Sequence, residues 1–238
     1  MRINWKLTIF SIFFLLLFLR LGFWQIDRSY EKEALIKEDK IRRVQSGVPI
    51  AGLPEALSQL DGQPIKLTGY FMAEQTVLLD NVVLKGNVGF EVMVPFHDTA
   101  SGLNVLVNRG FVQMGRTRSD APVVPPLLIG EQTIEGNVYV TKRVNEKTET
   151  MDFADNQLRI VLSKDPLALG GLLGSKVFNH LVRLSEQDPN ALPRYWPLVT
   201  MKPEKHFGYA ITWFCMAIAV ALSFAAFMYQ TNREKPNE

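Results

Sequence analysis

The chain has 238 residues, and its 26 basic and 24 acidic side chains leave a formal net charge of +2 at pH 7. This balanced charge gives no field that would attract a polyanion, so nucleic-acid binding is not expected. The one cysteine, Cys215, lies in an apolar stretch, which excludes disulfides, thiolate metal sites and a cysteine nucleophile from the polar part of the chain. Copper handling by direct ligation is also disfavoured, because the sequence has no paired cysteines and no clustered Met and His.

An apolar stretch over residues 7–26 predicts a first transmembrane helix. About 20 helical residues, each rising about 1.5 Å, cross the roughly 30 Å hydrocarbon core of a bilayer. The stretch is too long for a typical signal-peptide core, and no small-x-small cleavage site follows it. We therefore expect an uncleaved signal anchor, preceded by a short tail at residues 1–6.

Residues 27–206 have ordinary soluble composition and predict one α+β domain that is mainly antiparallel β, either a barrel or a sandwich. A helix at 28–44 continues the membrane helix, and short helices are expected at 54–60 and 166–173. Gly86 and Asn87 would supply the positive-φ positions of a hairpin turn, and prolines exclude regular structure from 188 to 203. The predicted strands are 65–72, 76–84, 88–95, 103–112, 132–141, 158–163 and 180–185.

A second apolar stretch, residues 207–229, contains no charged residue and predicts a second transmembrane helix. The tails at 1–6 and 230–238 are short and carry Lys or Arg, so the positive-inside bias places both in the cytoplasm. The sequence therefore predicts a multi-pass protein of a bacterial plasma (inner) membrane. Its central domain would lie in the periplasm.

Recognisable catalytic motifs are missing from the sequence, including the nucleophile elbow, the zinc-protease helix motif and the phosphate loop. Two histidines of the central domain have no nucleophile at a recognisable spacing. His97 is interpreted as a solvated turn residue and His180 as a structural one. We therefore do not expect an enzyme.

His206 is the more informative histidine, because it immediately precedes the second apolar stretch. Tyr209 and Trp213 follow it one and two helical turns later on one face. An imidazole beside aromatic rings at this depth can serve as an axial haem ligand, or it can be one more polar anchor in an aromatic belt. Arg20 has two readings as well, since it can snorkel to the headgroups or meet a haem propionate. Trp24 is most simply an outer-leaflet anchor.

Four blocks of the sequence form a set in a fixed order. They are residues 21–28 (Leu-Gly-Phe-Trp-Gln-Ile-Asp-Arg), 89–95 (Gly-Phe-Glu-Val-Met-Val-Pro), 105–112 (Val-Leu-Val-Asn-Arg-Gly-Phe-Val) and 206–214 (His-Phe-Gly-Tyr-Ala-Ile-Thr-Trp-Phe). This set resembles the surfeit locus protein 1 family, whose third block usually has Trp where this chain has Phe111. The region 156–167 departs from the family pattern, since it lacks a tryptophan often found there.

The resemblance implies a role in respiratory-chain biogenesis, as an assembly factor for haem–copper (cytochrome c type) terminal oxidases. The implied step is delivery of haem a to subunit I or its insertion there, with His206 as a transient iron ligand. We predict a haem a site formed by His206, Tyr209, Trp213, Trp24 and Arg20. Expected partners are subunit I, other oxidase assembly factors and the lipid bilayer. The alternatives are a haem-free membrane chaperone that stabilises an assembly intermediate, and a membrane-anchored periplasmic enzyme.

Two further features have open interpretations. Arg109 either pairs with an acid such as Asp80 inside the domain, which is the favoured role, or contacts a partner subunit or a propionate. Ala217, Ala221 and Ala225 are spaced by four and predict a small-residue face that would allow close helix approach. Large side chains of the first helix or helices of an oxidase could fill that face.

Overall fold

In a computed structural model, which describes residues 5–53, 57–115, 117, 120–141, 150–152, 158–174 and 177–233, the chain forms two compact units. One unit consists of the two terminal segments, up to Lys40 and from Pro197, and the other is Ile41–Trp196. Residues 27–40 and 197–206 therefore group with the terminal helices, although the sequence places them in the central domain.

The described residues contain four α-helices: α1 (Trp5–Arg43), α2 (Leu57–Leu60), α3 (Pro166–Leu173) and α4 (Pro203–Arg233). The helix expected at 28–44 is continuous with the first apolar stretch, as predicted. Both α1 and α4 are long and apolar enough to cross a membrane. Pro203 occupies the first position of α4, where its fixed φ suits the helix and the missing N–H costs nothing. Of the short helix expected at 54–60, residues 54–56 lie outside the described residues.

The helices α1 and α4 pack antiparallel, each through one face, and we call this contact the seam. Its buried residues are Ser11, Gly22 and Ser29 on α1, with His206, Ala210 and Ala217 on α4. The polar contacts show the antiparallel order, since Gln25 meets His206 and Ser29 meets Pro203. Two ring contacts also cross the seam, with the Phe18 and Trp213 centroids 5.7 Å apart and those of Phe23 and Phe214 5.3 Å apart. Approach is closest at Gly22, where a Cβ atom would lie 2.6 Å from the Phe214 ring.

Only one residue of the predicted small-residue face lies in the seam. Ala217 is buried, whereas Ala221 and Ala225 are exposed. A strict spacing of four drifts around a helix axis by about 40° per step, so three such residues do not stay on one face. The seam instead follows the spacings of four and seven that keep Ala210 and Ala217 in line with His206.

The β-rich unit contains eight strands within the described residues. They are β1 (Pro64–Phe71), β2 (Val77–Leu84), β3 (Asn87–Asp98), β4 (Leu103–Gln113), β5 (Gln132–Tyr139), β6 (Thr150–Asp152), β7 (Arg159–Val161) and β8 (Leu181–Leu184). The sheet order is β1-β5-β8-β4-β3-β2-β7-β6, and an additional pairing of β1 with β3 closes the first five of these into a barrel. Pairing is antiparallel except for β2 with β7 and β4 with β8. The fold is thus the predicted one: two terminal apolar helices flank a mainly antiparallel β domain.

Apolar side chains from the five barrel strands fill the barrel. The buried residues are Ile65, Leu67, Phe96, Val105, Val107, Ile134, Val138, Val182 and Leu184. The long strand β3 contributes to the barrel with one end and pairs with β2 along the other. A second apolar layer, which includes Leu169 of α3, covers one face of that extension. Burial of these side chains is the main force that holds the unit together.

Two details of the strand predictions change. The positive φ values in the first hairpin fall on Lys85 (51°) and Gly86 (86°), not on Gly86 and Asn87, because Leu84 pairs with Asn87 and leaves a two-residue loop. Strand β6 was not predicted, since three residues carry too little pattern to be recognised. The other strands lie within a few residues of their predicted bounds, and 188–202 has no helix or strand.

Replacement of Gly22 by Val tests the close approach in the seam. We expect Gly22→Val to lower the free energy of unfolding of the helix pair by about 1–3 kcal/mol, because the new side chain displaces the Phe214 ring. The measurement is thermal unfolding of the purified full chain in detergent. Gly208→Val is the matched control, because a Cβ atom at Gly208 meets nothing within 4 Å. Equal melting temperatures for the two variants would show that the seam does not need a glycine.

Candidate functional site

His206 lies in the first turn of α4, on the face that packs against α1. It is 9% exposed, and its Nδ1 atom lies 2.8 Å from Oε1 of Gln25. An amide oxygen can only accept, so Nδ1 donates, and in the neutral ring the lone pair is then on Nε2. Nε2 has no hydrogen-bond partner within the described residues and is not sealed from the surface. The helix pair therefore presents one imidazole nitrogen in the form that binds metals.

A second polar contact fixes the beginning of α4. Ser29 Oγ donates a hydrogen bond of 2.9 Å to the carbonyl oxygen of Pro203. Ser29 follows Gln25 by one helical turn, so both side chains project from the same face of α1. Since Pro203 also starts α4, this contact joins the beginning of α4 to α1 three residues before His206.

The aromatic residues predicted to flank His206 have different environments. Trp213 follows it by seven residues, stays on the seam and packs against Phe18. Tyr209 is 51% exposed and lies about 60° around the axis from His206. The structure therefore brings His206 and Trp213 into one line and leaves Tyr209 at the edge of the seam.

Arg20 and Trp24 lie on the part of α1 that is turned away from α4. Both are exposed. Relative to Gln25, they point about 140° and 100° around the helix axis, respectively. The side chain that holds His206 thus projects from a different face of α1 than these two residues do. Their inclusion in a haem site stays a prediction.

Gln25 and Ser29 are the site residues that the sequence reasoning did not single out. Together with Gly22 they have the spacing of three and four that marks one helix face. The block at 21–28 already contains Gln25, but its motif pattern does not say which of its polar residues faces the other helix. That information appears only when the two helices are seen to pair.

The described residues fit a single imidazole contact to a haem iron. Nε2 of His206 is a suitable donor, and the bond from Nδ1 to Gln25 holds the ring in one tautomer. No group of three or more His, Cys, Asp or Glu that could hold a metal ion is found among the residues that the structure describes.

The two histidines of the β-rich unit are engaged in packing. His97 lies on β3 rather than in a turn, so its interpretation as a solvated turn residue was wrong. Its Nδ1 atom lies 2.8 Å from Oδ1 of Asn104, and its ring stacks 5.3 Å from Tyr70. His180 packs edge-on against Phe178.

Arg109 is a buried structural residue at a β-bulge. The register of β3 and β4 shifts there, because Val92 pairs with Gly110 and Met93 with Asn108, which leaves Arg109 without an opposite partner. Gly110 has a φ of 122°, a value that strongly favours glycine. The Arg109 side chain is directed inward and is only 2% exposed. This burial supports the favoured structural role and leaves no surface for a partner or a propionate.

The Arg109 guanidinium holds two loops in place. Nε donates to the carbonyl of Asn190 at 2.9 Å, and one terminal nitrogen donates to the carbonyl of Pro125 at 3.0 Å. Burial lowers the pKa of Arg109, and the negative charge of Asp188 partly offsets that effect. The acid that acts on Arg109 is thus Asp188 and not Asp80, and it acts through its charge, while the hydrogen bonds go to backbone oxygens.

Comparison with known proteins places the chain in a family. The model of the SURF1 family matches residues 12–218. The chain belongs to the SURF1 family. It is similar to surfeit locus protein 1 of Rattus norvegicus, with 26% identity over 226 residues that cover 89% of this chain and 72% of the rat protein. It is also similar to a SURF1-like protein of Rickettsia prowazekii, with 21% identity over 233 residues that cover 91% and 87% of the two chains.

A third relative matches over a shorter stretch. Surfeit locus protein 1 of Mus musculus is 29% identical over 136 residues, which cover 51% of this chain but only 44% of the mouse protein. SURF1 proteins are known in general as oxidase assembly factors and are not typically catalytic. The family and the two apolar helices together identify a membrane protein connected with oxidase assembly.

The family blocks meet in pairs in the folded chain. The blocks at 21–28 and 206–214 face each other across the seam and join through Gln25 and His206. The blocks at 89–95 and 105–112 lie on the neighbouring strands β3 and β4, where Phe90 pairs with Val112. Residues that are far apart in sequence thus form two local units, one in each compact part of the chain.

Replacement of Arg109 by Leu should destabilise the β-rich unit. The carbonyls of Asn190 and Pro125 lose their donors, and we expect a loss of about 2–4 kcal/mol in the free energy of unfolding. Thermal unfolding measures the loss, and limited proteolysis of the loop around Pro125 reports on local opening. Arg159→Leu, at an exposed position of β7, is the matched control. If both variants melt together, the two hydrogen bonds do not hold the loops.

Replacement of Gln25 by Leu should weaken the contact between α1 and α4. The Nδ1–H group of His206 would remain mostly buried without its acceptor, at a cost of about 1–3 kcal/mol. The check is the melting temperature of the full chain in detergent, compared with that of Gln230→Leu, which changes an exposed glutamine of α4. An unchanged melting temperature for Gln25→Leu would show that this hydrogen bond contributes nothing to helix pairing.

Proposed function

We propose that this protein is an assembly factor that delivers haem a to subunit I of a haem–copper, cytochrome c type terminal oxidase, or inserts it there. The observation that carries the proposal is the His206–Gln25 pair, which joins two family blocks and leaves Nε2 of His206 available. Membership of the SURF1 family supports the assembly role. The haem step and the identity of the partner subunit are our inference.

Haem a, as the cargo, supplies an iron that takes an imidazole nitrogen as an axial ligand. Gln25 orients the His206 ring and fixes its proton on Nδ1, which keeps the lone pair on Nε2. The Ser29–Pro203 contact prevents the first turn of α4 from moving away. Tyr209, exposed beside His206, offers an aromatic face to a bound macrocycle. A single protein ligand suits a carrier, because what is bound must later be released.

The proposed topology follows from the two helices and their flanks. Residues 7–26 and 207–229 would span a bacterial inner membrane, with the tails at 1–6 and 230–238 in the cytoplasm and residues 27–206 in the periplasm. His206 would then lie at the periplasmic interface, close to the level at which Gln25 leaves the apolar stretch. A partner subunit embedded in the same bilayer could accept cargo there without exposing it to water.

A haem-free chaperone is the second candidate, and the same contact supports it. A neutral hydrogen bond between two membrane helices is a common way to hold a pair together. In that case His206 would serve only to fix the helices, and the protein would stabilise an apo-subunit. The two candidate functions differ in whether Nε2 of His206 binds a haem iron.

His206→Asn separates these candidates, because the Asn side-chain amide can still donate to Gln25 while Nε2 is lost. In the haem-carrier case, the wild-type protein purified from cells that make haem a shows its visible absorbance. His206→Asn should lose most of that absorbance and keep the wild-type melting temperature. His97→Ala, a histidine change in the β-rich unit, should keep the absorbance.

Two results would contradict parts of the proposal. A wild-type protein without haem would eliminate the carrier function and favour the chaperone. A normal haem spectrum in His206→Asn would eliminate His206 as the ligand while leaving haem binding in place.

A further inference from the structure

Helix α1 has a second ordered face, opposite the seam. Its residues are Ile9, Phe13, Leu16, Arg20 and Trp24, which recur at spacings of three and four, and we call this the Arg20 face. Arg20 points about 160° around the helix axis from Gly22, the closest point of the seam. All five side chains are exposed, in contrast to the buried seam residues. The face therefore has no partner within the described chain, and what sets it apart from the other exposed apolar side chains of α1 is the charge of Arg20.

Arg20 is the one charged residue of the apolar stretch at 7–26. Within the described part of the chain it has no ion pair or hydrogen bond. Asp27 follows on the same side of α1, but two helical turns separate it from Arg20 by about 10 Å. A cation at membrane depth is costly unless an anion or water reaches it. The residues that the structure describes thus supply no group that compensates the charge.

Snorkelling to the nearer headgroups is opposed by the direction of the helix. Arg20 lies about 9 Å along the axis from Ile26, where the apolar stretch ends. Side chains on an α-helix lean toward its N-terminus, so Arg20 leans toward the interior of the bilayer and away from that nearer interface. A guanidinium held in this direction is better satisfied by a carboxylate at the same depth, which it can bind through two parallel hydrogen bonds.

We propose that the Arg20 face docks a transmembrane helix of another membrane protein, and that this helix carries an Asp or Glu opposite Arg20. Charge complementarity selects this occupant, since a purely apolar helix would leave the guanidinium unpaired in hydrocarbon. Phe13, Leu16 and Trp24 supply the apolar contacts on both sides of the ion pair. The inference deepens the proposed function, because it names the kind of partner that an assembly factor would engage. It assigns Arg20 and Trp24 to a protein interface, whereas the sequence predicted them in the haem site.

The test is photo-crosslinking of the full-length protein in its native membrane. A photoreactive amino acid replaces Leu16 on the Arg20 face, and in a second protein it replaces Ile218 of α4. These side chains are 61% and 58% exposed, and they lie at similar depth because Phe18 contacts Trp213 across the seam. We expect Leu16 to give a crosslink to one membrane protein, and Ile218 not to give that product.

Variants of Arg20 decide whether the charge matters. Arg20→Gln should reduce the Leu16 crosslink about tenfold or more, and Arg20→Lys should retain part of it. Once the crosslinked protein is identified, neutralising its intramembrane acid should reproduce the Arg20→Gln loss. Arg20→Glu combined with an acid-to-Arg change in the partner should restore the crosslink. Such a restoration identifies the ion pair, which mere capture of a protein does not.

Other results would overturn the inference. A Leu16 crosslink to phospholipid alone would assign Arg20 to the lipid headgroups. A crosslink that Arg20→Gln leaves unchanged would remove the charge from the contact. Loss of haem absorbance in Arg20→Gln with an unchanged crosslink would return Arg20 to the haem site. Since crosslinking needs no haem, a wild-type protein without haem would end the carrier proposal and leave this test intact.

Discussion

The close approach of α1 and α4 at Gly22 is the constraint on which the candidate site depends. Without a side chain at Gly22, the Phe214 ring can lie against the backbone of α1. The small separation of the two helices lets the short side chain of Ser29 reach the Pro203 carbonyl and lets Gln25 reach His206. A wider separation would leave both polar groups without partners in an apolar environment, where unmade hydrogen bonds are expensive. The packing of α1 against α4 and the orientation of the His206 imidazole therefore depend on the same close approach.

The β-rich unit depends on a comparable close contact between two family blocks. A Cβ atom at Gly89 would lie 2.5 Å from the ring of Phe111, so the glycine leaves the space that the aromatic ring of the neighbouring strand fills. Two residues earlier, Arg109 leaves the strand register and fixes the loops at Pro125 and Asn190. Packing and hydrogen bonds to the backbone thus explain the family blocks at 89–95 and 105–112. No chemistry needs to be assigned to them.

Much of the architecture followed from periodicity, whereas the site did not. Long apolar runs and alternating apolar and polar residues are visible in the local sequence. The terminal helices, the barrel strands and α3 were therefore predicted at nearly their true bounds. Gln25 was missed because its importance comes from a residue 181 positions away, and a single sequence does not say which helix faces meet. Spacing alone likewise did not show that, of the alanines at 217, 221 and 225, only Ala217 is buried in the seam. The hairpin turn was misplaced by one residue because strand register, not composition, sets which residues lie in the loop.

The polar residues of α1 differ in the kind of partner that each one needs. Gln25 and Ser29 are neutral, and each is satisfied by one hydrogen bond to α4, so a chain of two helices can place them in its own seam. A guanidinium in the same seam would need a counter-charge on α4, but α4 has no acidic residue between Glu204 and its end at Arg233. Arg20 faces outward instead, where none of the residues that the structure describes meets its charge. The position of this one charge makes α1 a helix with two contact faces, of which the chain fills one.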